Sequence, residues 1–357
     1  MKKQILFGIL FLIALLLTTV LFPGQKSGKN PQHIPSFPSP TPIPSLTIEK
    51  IFSEDHSWWE KLPKDHIRIM TATGDIIPAR SVNFGAVKRN NPLWPYEKVV
   101  PILRKQPTDI LFINLETPLI KNCPATVEGM IFCGSDRNIE GLTYLGVTVA
   151  SVANNHAGNY GVEGVKQTVD LLRKTTILVA GIDGPVYQTV RGKTFAFLGF
   201  NDITSPQPGV QNVDKAIIKN QIKKARKKAD IVVVTYHWGV EYRSQPDDRQ
   251  IELGHFTIDS GADIVIGNHP HWIQPIEFYK GKLITYAHGN FIFDQMWSQK
   301  TREGVIGRYI FYDNTLIDVK YLPLQIDDYG QAHFLEGMQK TSILTDMKNQ
   351  SEIRATK

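Results

Sequence analysis

The amino-acid sequence predicts an α/β protein with buried sheets, and three observations predict it. Short β-branched or apolar runs alternate with helix-like segments along most of the 357 residues. The composition, 42% hydrophobic and 21% charged, is that of a globular chain rather than a disordered one. Several apolar runs stop at Asp, Glu, Asn or His, as strands do where an open α/β sheet gathers ligands beyond its carboxyl ends.

The elements follow in order. After Lys2 and Lys3, residues 5–22 carry no charge, and as a helix they span roughly 27 Å, enough to cross a hydrocarbon core. Thr18, Thr19 and Val20 lead straight into Leu21, Phe22 and Pro23, which makes a poor cleavage site. An uncleaved membrane helix over residues 1–22 is therefore expected, a removed signal peptide being the alternative. A short tail left in the cytoplasm then puts the large domain on the extracytoplasmic side of the cell membrane. Residues 23–65 read as a Pro-rich linker, with prolines at 23, 31, 35, 38, 40, 42 and 44. The net charge of +6 does not argue for nucleic acid. Lys2, Lys3, Lys26 and Lys29 supply four of the six positive charges, which leaves the remaining residues near neutral. Two cysteines exclude a four-thiolate zinc site, and a Cys123–Cys133 bridge across a Gly- and Pro-containing loop suits an exported protein.

The folded domain is expected over residues 66–325. Strands are predicted at 67–73, 109–114, 147–153, 194–200, 231–236, 263–267 and 283–288, from short β-branched or apolar runs. An antiparallel pair at 305–312 and 315–321 turns at Asp313-Asn314. Helices are predicted at 96–105, 161–174, 214–228 and 247–260. The lysine-rich helix at 214–228 reads as a solvated face opposite Ala216, Ile217 and Ala225. The tail, 326–357, has no readable role.

The strand ends carry the chemistry. IMTATGD stops at Asp75, LFINLE at Glu116, ASVANNH at Asn155 and His156, VVVTYH at His237, and DIVIGNHPH at His269 and His271. Each has a plain structural reading when taken singly: a turn or helix cap for Asp75 and Asn155, a solvent-facing strand end for Glu116, a core histidine for His237. Together they form a donor set for metal. Imidazoles mixed with carboxylate and amide oxygens suit one or two borderline divalent ions such as Mn, Fe or Zn. The expected division puts Asp75 and His271 on one ion and Asn155, His237 and His269 on the other, with Glu116 bridging. His156, one residue beyond a ligand, is then placed for general-acid work or for stabilising charge.

GDIIPAR (74–80), NLETPL (114–119), VANNHAGNYGVEGV (152–165), YHWGVEY (236–242), GADIVIGNHPHWIQPIE (261–277) and HGNFIFD (288–294) resemble, in order, the motifs of the bacterial capsule-synthesis CapA family. That family is linked with poly-γ-glutamate production and is related to calcineurin-like metallophosphoesterases. The resemblance covers roughly residues 67–325. It implies a four-layer α/β/β/α sandwich of metallo-dependent phosphatase type with the metal site at one edge of the paired sheets. It places Asp75, Glu116, Asn155, His156, His237, His269 and His271 on ligand and catalytic positions, and Arg80 where a basic group meets an anionic substrate. There are departures. Ile77 stands where metallophosphoesterases usually carry a histidine, the bridging carboxylate is Glu rather than Asp, and Asn159 stands where many relatives have Asp. His288 precedes GNF in place of Leu, as an extra site residue or as a buried histidine.

The expectation is a membrane-anchored, extracytoplasmic, metal-dependent hydrolase of capsule or exopolymer production. Its partners would be an anionic polymer such as poly-γ-glutamate, the membrane and membrane-bound polymer synthase subunits. The alternatives are a non-enzymatic polymer-binding or export component and a secreted phosphoesterase.

Overall fold

The structure, a computed structural model, describes residues 43–203 and 206–355. The anchor expected over residues 1–22 and the linker up to residue 42 lie outside the described residues. Among the described residues no helix is long and apolar enough to cross a membrane.

The alternating runs build two large sheets. The first has eight strands. Its path runs Gln331–Phe334, Thr315–Asp327, Glu303–Tyr312, Ile67–Ile76, Ile110–Leu115, Val149–Ser151 and Leu178–Ala180, and Asn290–Ile292 pairs beside Ile67–Ile76. The second has six: Ile276–Tyr279, Lys282–Thr285, Ile264–Asn268, Ile231–His237, Lys193–Asn201 and Val186–Val190. The central strands of each are parallel, so each set delivers its carboxyl ends to one edge.

Side-chain alternation assigns the faces. Met70, Ala72, Phe112 and Val149 of the first sheet share a core with Phe197, Val233, Ile264 and Ile266 of the second. The opposite face of the first sheet, with Leu111, Ile113 and Ala150, packs against Leu142, Val165 and Leu172 of the helices Asn138–Leu145 and Gly161–Lys174. The opposite face of the second, with Val232, Val234 and Val265, packs against Ile218, Ile222 and Leu253 of the helices Lys215–Arg226 and Asp248–Asp259. Strands buried on both faces explain why these segments read as continuous apolar runs.

Several expectations change. The helix expected at 96–105 is broken into Trp94–Tyr96 and Val100–Leu103 because Pro95 and Pro101 fit only first-turn positions. The lysine-rich helix, N-capped by the Asp214 carboxylate, buries Ile218, Ile222 and Ala225, while Ile217 is exposed. The domain is longer than expected at both ends. The compact unit begins at Ile43, so residues 43–65 are not linker. Thr47 caps the helix Ile48–Ile51, Ile51 and Trp59 are buried, and His56 pairs with the buried Asp318 at 2.9 Å.

Residues 326–355 are not a loose tail either. The strand Gln331–Phe334 extends the first sheet, and the helix Gly337–Ala355 buries Ile343, Met347 and Ser351. The Ser351 hydroxyl accepts from the Ile276 amide at 3.0 Å. If this helix is part of the core, Met347→Ala leaves a cavity costing about 2–5 kcal/mol. Urea unfolding measures it, and a loss below about 0.5 kcal/mol is what a solvated surface position gives.

Candidate metal centre

The polar cluster is the upper edge of the inter-sheet core. Ile110 and Phe112 face the second sheet, so Asn114 and Glu116, two and four positions beyond Phe112, continue that face. Ile231 and Val233 do the same for His237. Asp75 needs a correction to this parity, because Met70 and Ala72 already face inward. A register irregularity between Ala72 and Asp75 supplies it: Ile76 turns to the outer core and Asp75 to the inner face. The neighbouring Gly74 is required, since a Cβ there would lie 2.1 Å from the Gly289 carbonyl oxygen. Cross-strand register then aligns Asp75 with Asn114 and with Asn290, and His237 with Asn268.

His269 and His271 arrive from the turn after Ile264–Asn268, both in left-handed backbone with φ of 97° and 56°. Such conformations cost energy in non-glycine residues and cluster at functional sites. The first carries its ring to His237, with Nδ1 3.1 Å from His237 Nε2. The second lies with Nδ1 3.2 Å from Asp75 Oδ2 and Nε2 4.0 Å from Glu116 Oε1. His237 Nε2 is 3.3 Å from Glu116 Oε1. Ligands at about 2.0 Å around a tetrahedral ion stand about 3.3 Å apart, close to the separations of His237 Nε2 from Glu116 Oε1 and from His269 Nδ1.

Three overlapping groups of ligand atoms can hold an ion: Glu116, His237 and His269; Asp75, Glu116 and His271; and Glu241, His269 and His271. Glu116 is common to the first two, beside His237 and His269 in one and Asp75 and His271 in the other. Glu116 is fully buried, and neither carboxylate oxygen has a hydrogen-bond partner among the described residues. Asn155 Oδ1 is likewise buried and unpartnered. A buried carboxylate with nothing to accept from is costly unless a cation completes it. The donor set therefore fits divalent metal.

The electrostatics of the metal-free protein agree. Burial, and then Asp75, hold Glu116 well above the usual carboxylate range. Burial opposes ionisation of Asp75, but His271 and Asn114 bring its carboxyl down. Burial pulls the His271 ring down, but Glu116 and Asp75 outweigh it and raise the ring to about 9. Burial holds His237 down at about 3 and His269 well below its ordinary value. A proton on His271 thus stands where a cation would balance the two carboxylates.

His156 lies at this edge, stacked on Phe132 with centroids 3.9 Å apart. The Asn159 Oδ1 atom accepts the Phe132 amide at 2.6 Å and lies 2.9 Å from His156 Nδ1. That network assigns the proton to Nδ1 and leaves Nε2 as the acceptor. Burial lowers the ring to about 4, so near neutral pH the ring is uncharged. Arg80, expected to meet an anionic group, meets one inside the protein: it pairs with Asp294 and is sandwiched between Phe132 and Phe293, each ring 4.9 Å from its guanidinium carbon. His288 is a buried core histidine, its Nε2 2.8 Å from the Tyr309 hydroxyl. Cys123 and Cys133 form the expected disulfide, which closes the loop leading to Phe132.

Residue-by-residue reading missed the supports. Asn114 donates to Asp75 Oδ1 at 2.8 Å, Asn290 Oδ1 lies 2.9 Å from His271 Nδ1, and Asn154 Oδ1 accepts the Ala157 amide at 2.9 Å. It also missed Glu241, although Glu241 lies in the YHWGVEY motif.

Residues 69–295 match the family model described as bacterial capsule synthesis protein PGA_cap. The PGA biosynthesis protein CapA of Bacillus subtilis (strain 168) is 34% identical over 289 residues, covering 76% of this chain and 75% of that protein. The capsule biosynthesis protein CapA of Bacillus anthracis is 33% identical over 296 residues, covering 77% and 71%. The crystal structure of a hypothetical protein from Thermus thermophilus shares the fold, with a TM-score of 0.50 at 15% identity over 72% of this chain and all of that one.

Metal uptake must displace the His271 proton, so it is coupled to pH. Below about 9, where the metal-free ring is protonated, apparent affinity for Mn²⁺ falls by up to about tenfold per pH unit. Titration calorimetry between pH 6.5 and 8.5 in buffers of different ionisation enthalpy should show about one proton released, and a pH-independent affinity would contradict the arrangement.

Proposed function

The chain belongs to the bacterial capsule synthesis protein PGA_cap family, and from that premise we propose that it is a metal-dependent hydrolase acting on an anionic polymer of the poly-γ-glutamate class. It would work beside membrane-bound polymer synthase subunits, on the extracytoplasmic side, tethered by the apolar run at residues 5–22. The fold reading is a sandwich of metallo-dependent phosphatase type. One observation carries the proposal: Glu116, buried and unpartnered, is shared by two groups of metal donors with a base beside them.

Asp75, Glu116, His271, Asn155, His237 and His269 hold one or two ions of the Mn, Fe or Zn kind. Bound there, such ions would polarise a scissile amide or phosphoester and activate water. The chain's own groups do the rest. His156, neutral with Nε2 free, accepts the proton of the attacking water and returns it to the leaving nitrogen or oxygen. Asn159 fixes its tautomer, and Phe132 fixes its plane. Arg80, held by Asp294, is a positioning residue: its guanidinium lies over the Phe132 ring that stacks on His156. The disulfide supports export, since such bonds persist in oxidising compartments.

Metal-loaded full chain should release fragments from poly-γ-glutamate, and His156→Ala should lower turnover about 10²–10⁴-fold while keeping its metal. A metal-loaded protein that cleaves neither this polymer nor simple phosphodiesters would end the hydrolase reading and leave a binding component. The chain should also partition with membranes, with both cysteines resistant to thiol labelling until reduced.

A further inference from the structure

We propose that Glu241 is a direct metal ligand of the centre, acting beside His269 and His271. The inference rests on the metal-centre reading above and extends it to a further carboxylate. Without that carboxylate the centre has two unequal positions. One has Glu116, His237 and His269, with the free Asn155 oxygen as a fourth donor. The other has three donors, and Ile77, next along the chain beyond Asp75 and Ile76, is buried with Ala79, Phe132 and Phe293 and offers none.

Glu241 lies on the histidine side of the centre, beside one histidine from each position. Its carboxylate lies within 4.8 Å of ligand nitrogens of both His269 and His271. The placement is built into the backbone. The Trp238 amide donates to the Asn268 carbonyl at 3.1 Å and the Tyr242 amide to the Pro270 carbonyl at 2.8 Å, so the turn carrying Glu241 is fastened on both sides to the turn carrying the two histidines. Within it Gly239 has a φ of +83°, and a Cβ there would lie 2.5 Å from Gln250 Cδ. Tyr242 is held at a φ of 60°, which a bulky residue adopts only when its surroundings enforce it. The turn is thus strained into one shape, and that shape aims a carboxylate at the centre.

Charge points the same way. Among the described residues no lysine or arginine forms an ion pair with Glu241; its hydroxyl neighbour is Tyr242. A third carboxylate near Asp75 and Glu116 is repulsive without cations and favourable with two divalent ones. The ligand type also has a consequence. Asp75, Glu116 and His271 make an oxygen-rich position, and Glu116, His237, His269 and Asn155 a nitrogen-richer one. Harder ions such as Mn²⁺ suit the first and Zn²⁺ the second, so the centre is inferred to discriminate between its two ions.

The test reads metal, not turnover. Full-length protein, stripped and reloaded with Mn²⁺ or with Zn²⁺, is compared with Glu241→Gln and Glu241→Asp by elemental analysis and calorimetry. The glutamine keeps shape and removes charge; the aspartate keeps charge and withdraws the oxygens. The parent should bind two ions per chain. In both variants at least one ion-binding step should weaken at least tenfold, with the circular dichroism unchanged. If both variants bind two ions with parental affinity, Glu241 is no ligand, although the centre stands. If only Glu241→Gln weakens, the group acts by charge at a distance and the ligand assignment fails. A parent that binds no metal removes the centre and this inference together.

Discussion

A carboxylate buried with nothing to accept from is the constraint on which the upper edge of this molecule depends. Glu116 follows a strand whose inward positions are Ile110, Phe112 and Asn114, and both its oxygens are enclosed and, among the described residues, unpartnered. Leaving an ionised group in that state costs several kcal/mol. Among the described residues no lysine or arginine relieves it. It surrounds the group with imidazoles and a second carboxylate, Asp75, which worsens the problem unless a cation arrives. In the metal-free protein the relief is partial: the His271 ring is driven to hold a proton, and Glu116 itself resists ionising. The centre is therefore poised between protons and metal, because both answer the same excess of negative charge.

The fold makes this arrangement hard to avoid. Two sheets share one apolar core, and their strands reach the upper edge in register, so whatever stands at the next inward position must face its counterpart across the gap. A single irregularity in Ile67–Ile76 brings Asp75 inward, and left-handed backbone at His269 and His271 brings both rings back over the edge. These local costs, about 1–3 kcal/mol for each strained residue, are carried by a rigid core below. Precision at the centre comes from rigidity beneath it.

Much of this was legible in the sequence, for a physical reason. A strand buried on both faces must be apolar, so a charged or polar residue at its end stands out, and Asp75, Glu116, His237, His269 and His271 were all readable that way. The supports were not. Asn114 lies inside an apolar run and Asn290 inside HGNFIFD, and their pairing with Asp75 and His271 is a matter of cross-strand register, which a one-dimensional pattern does not contain. Glu241 was hidden for the same reason, since its turn is fastened to residues about thirty positions later. The ends were misjudged through composition. The terminal helix buries Ile343, Met347 and Ser351 on a stripe that is too narrow and too polar at one end to read as amphipathic. The segment before Ile67 is proline-rich at first and then contributes Ile51 and Trp59 to cores that only distant strands complete.

The compact unit is entered by the chain far from the centre. Residues Ile43 to Glu49 line a depression together with Asp230, Asp263 and Lys282. Asp230 and Asp263 directly precede Ile231 and Ile264, the amino ends of strands whose carboxyl ends lead to His237 and His269. A seven-residue strand such as Ile231–His237 spans about 20 Å. The chain therefore arrives at the pole of the paired sheets opposite the metal donors. The length of the central strands thus separates the entry of the chain from the centre, and the rigid core lies between the two.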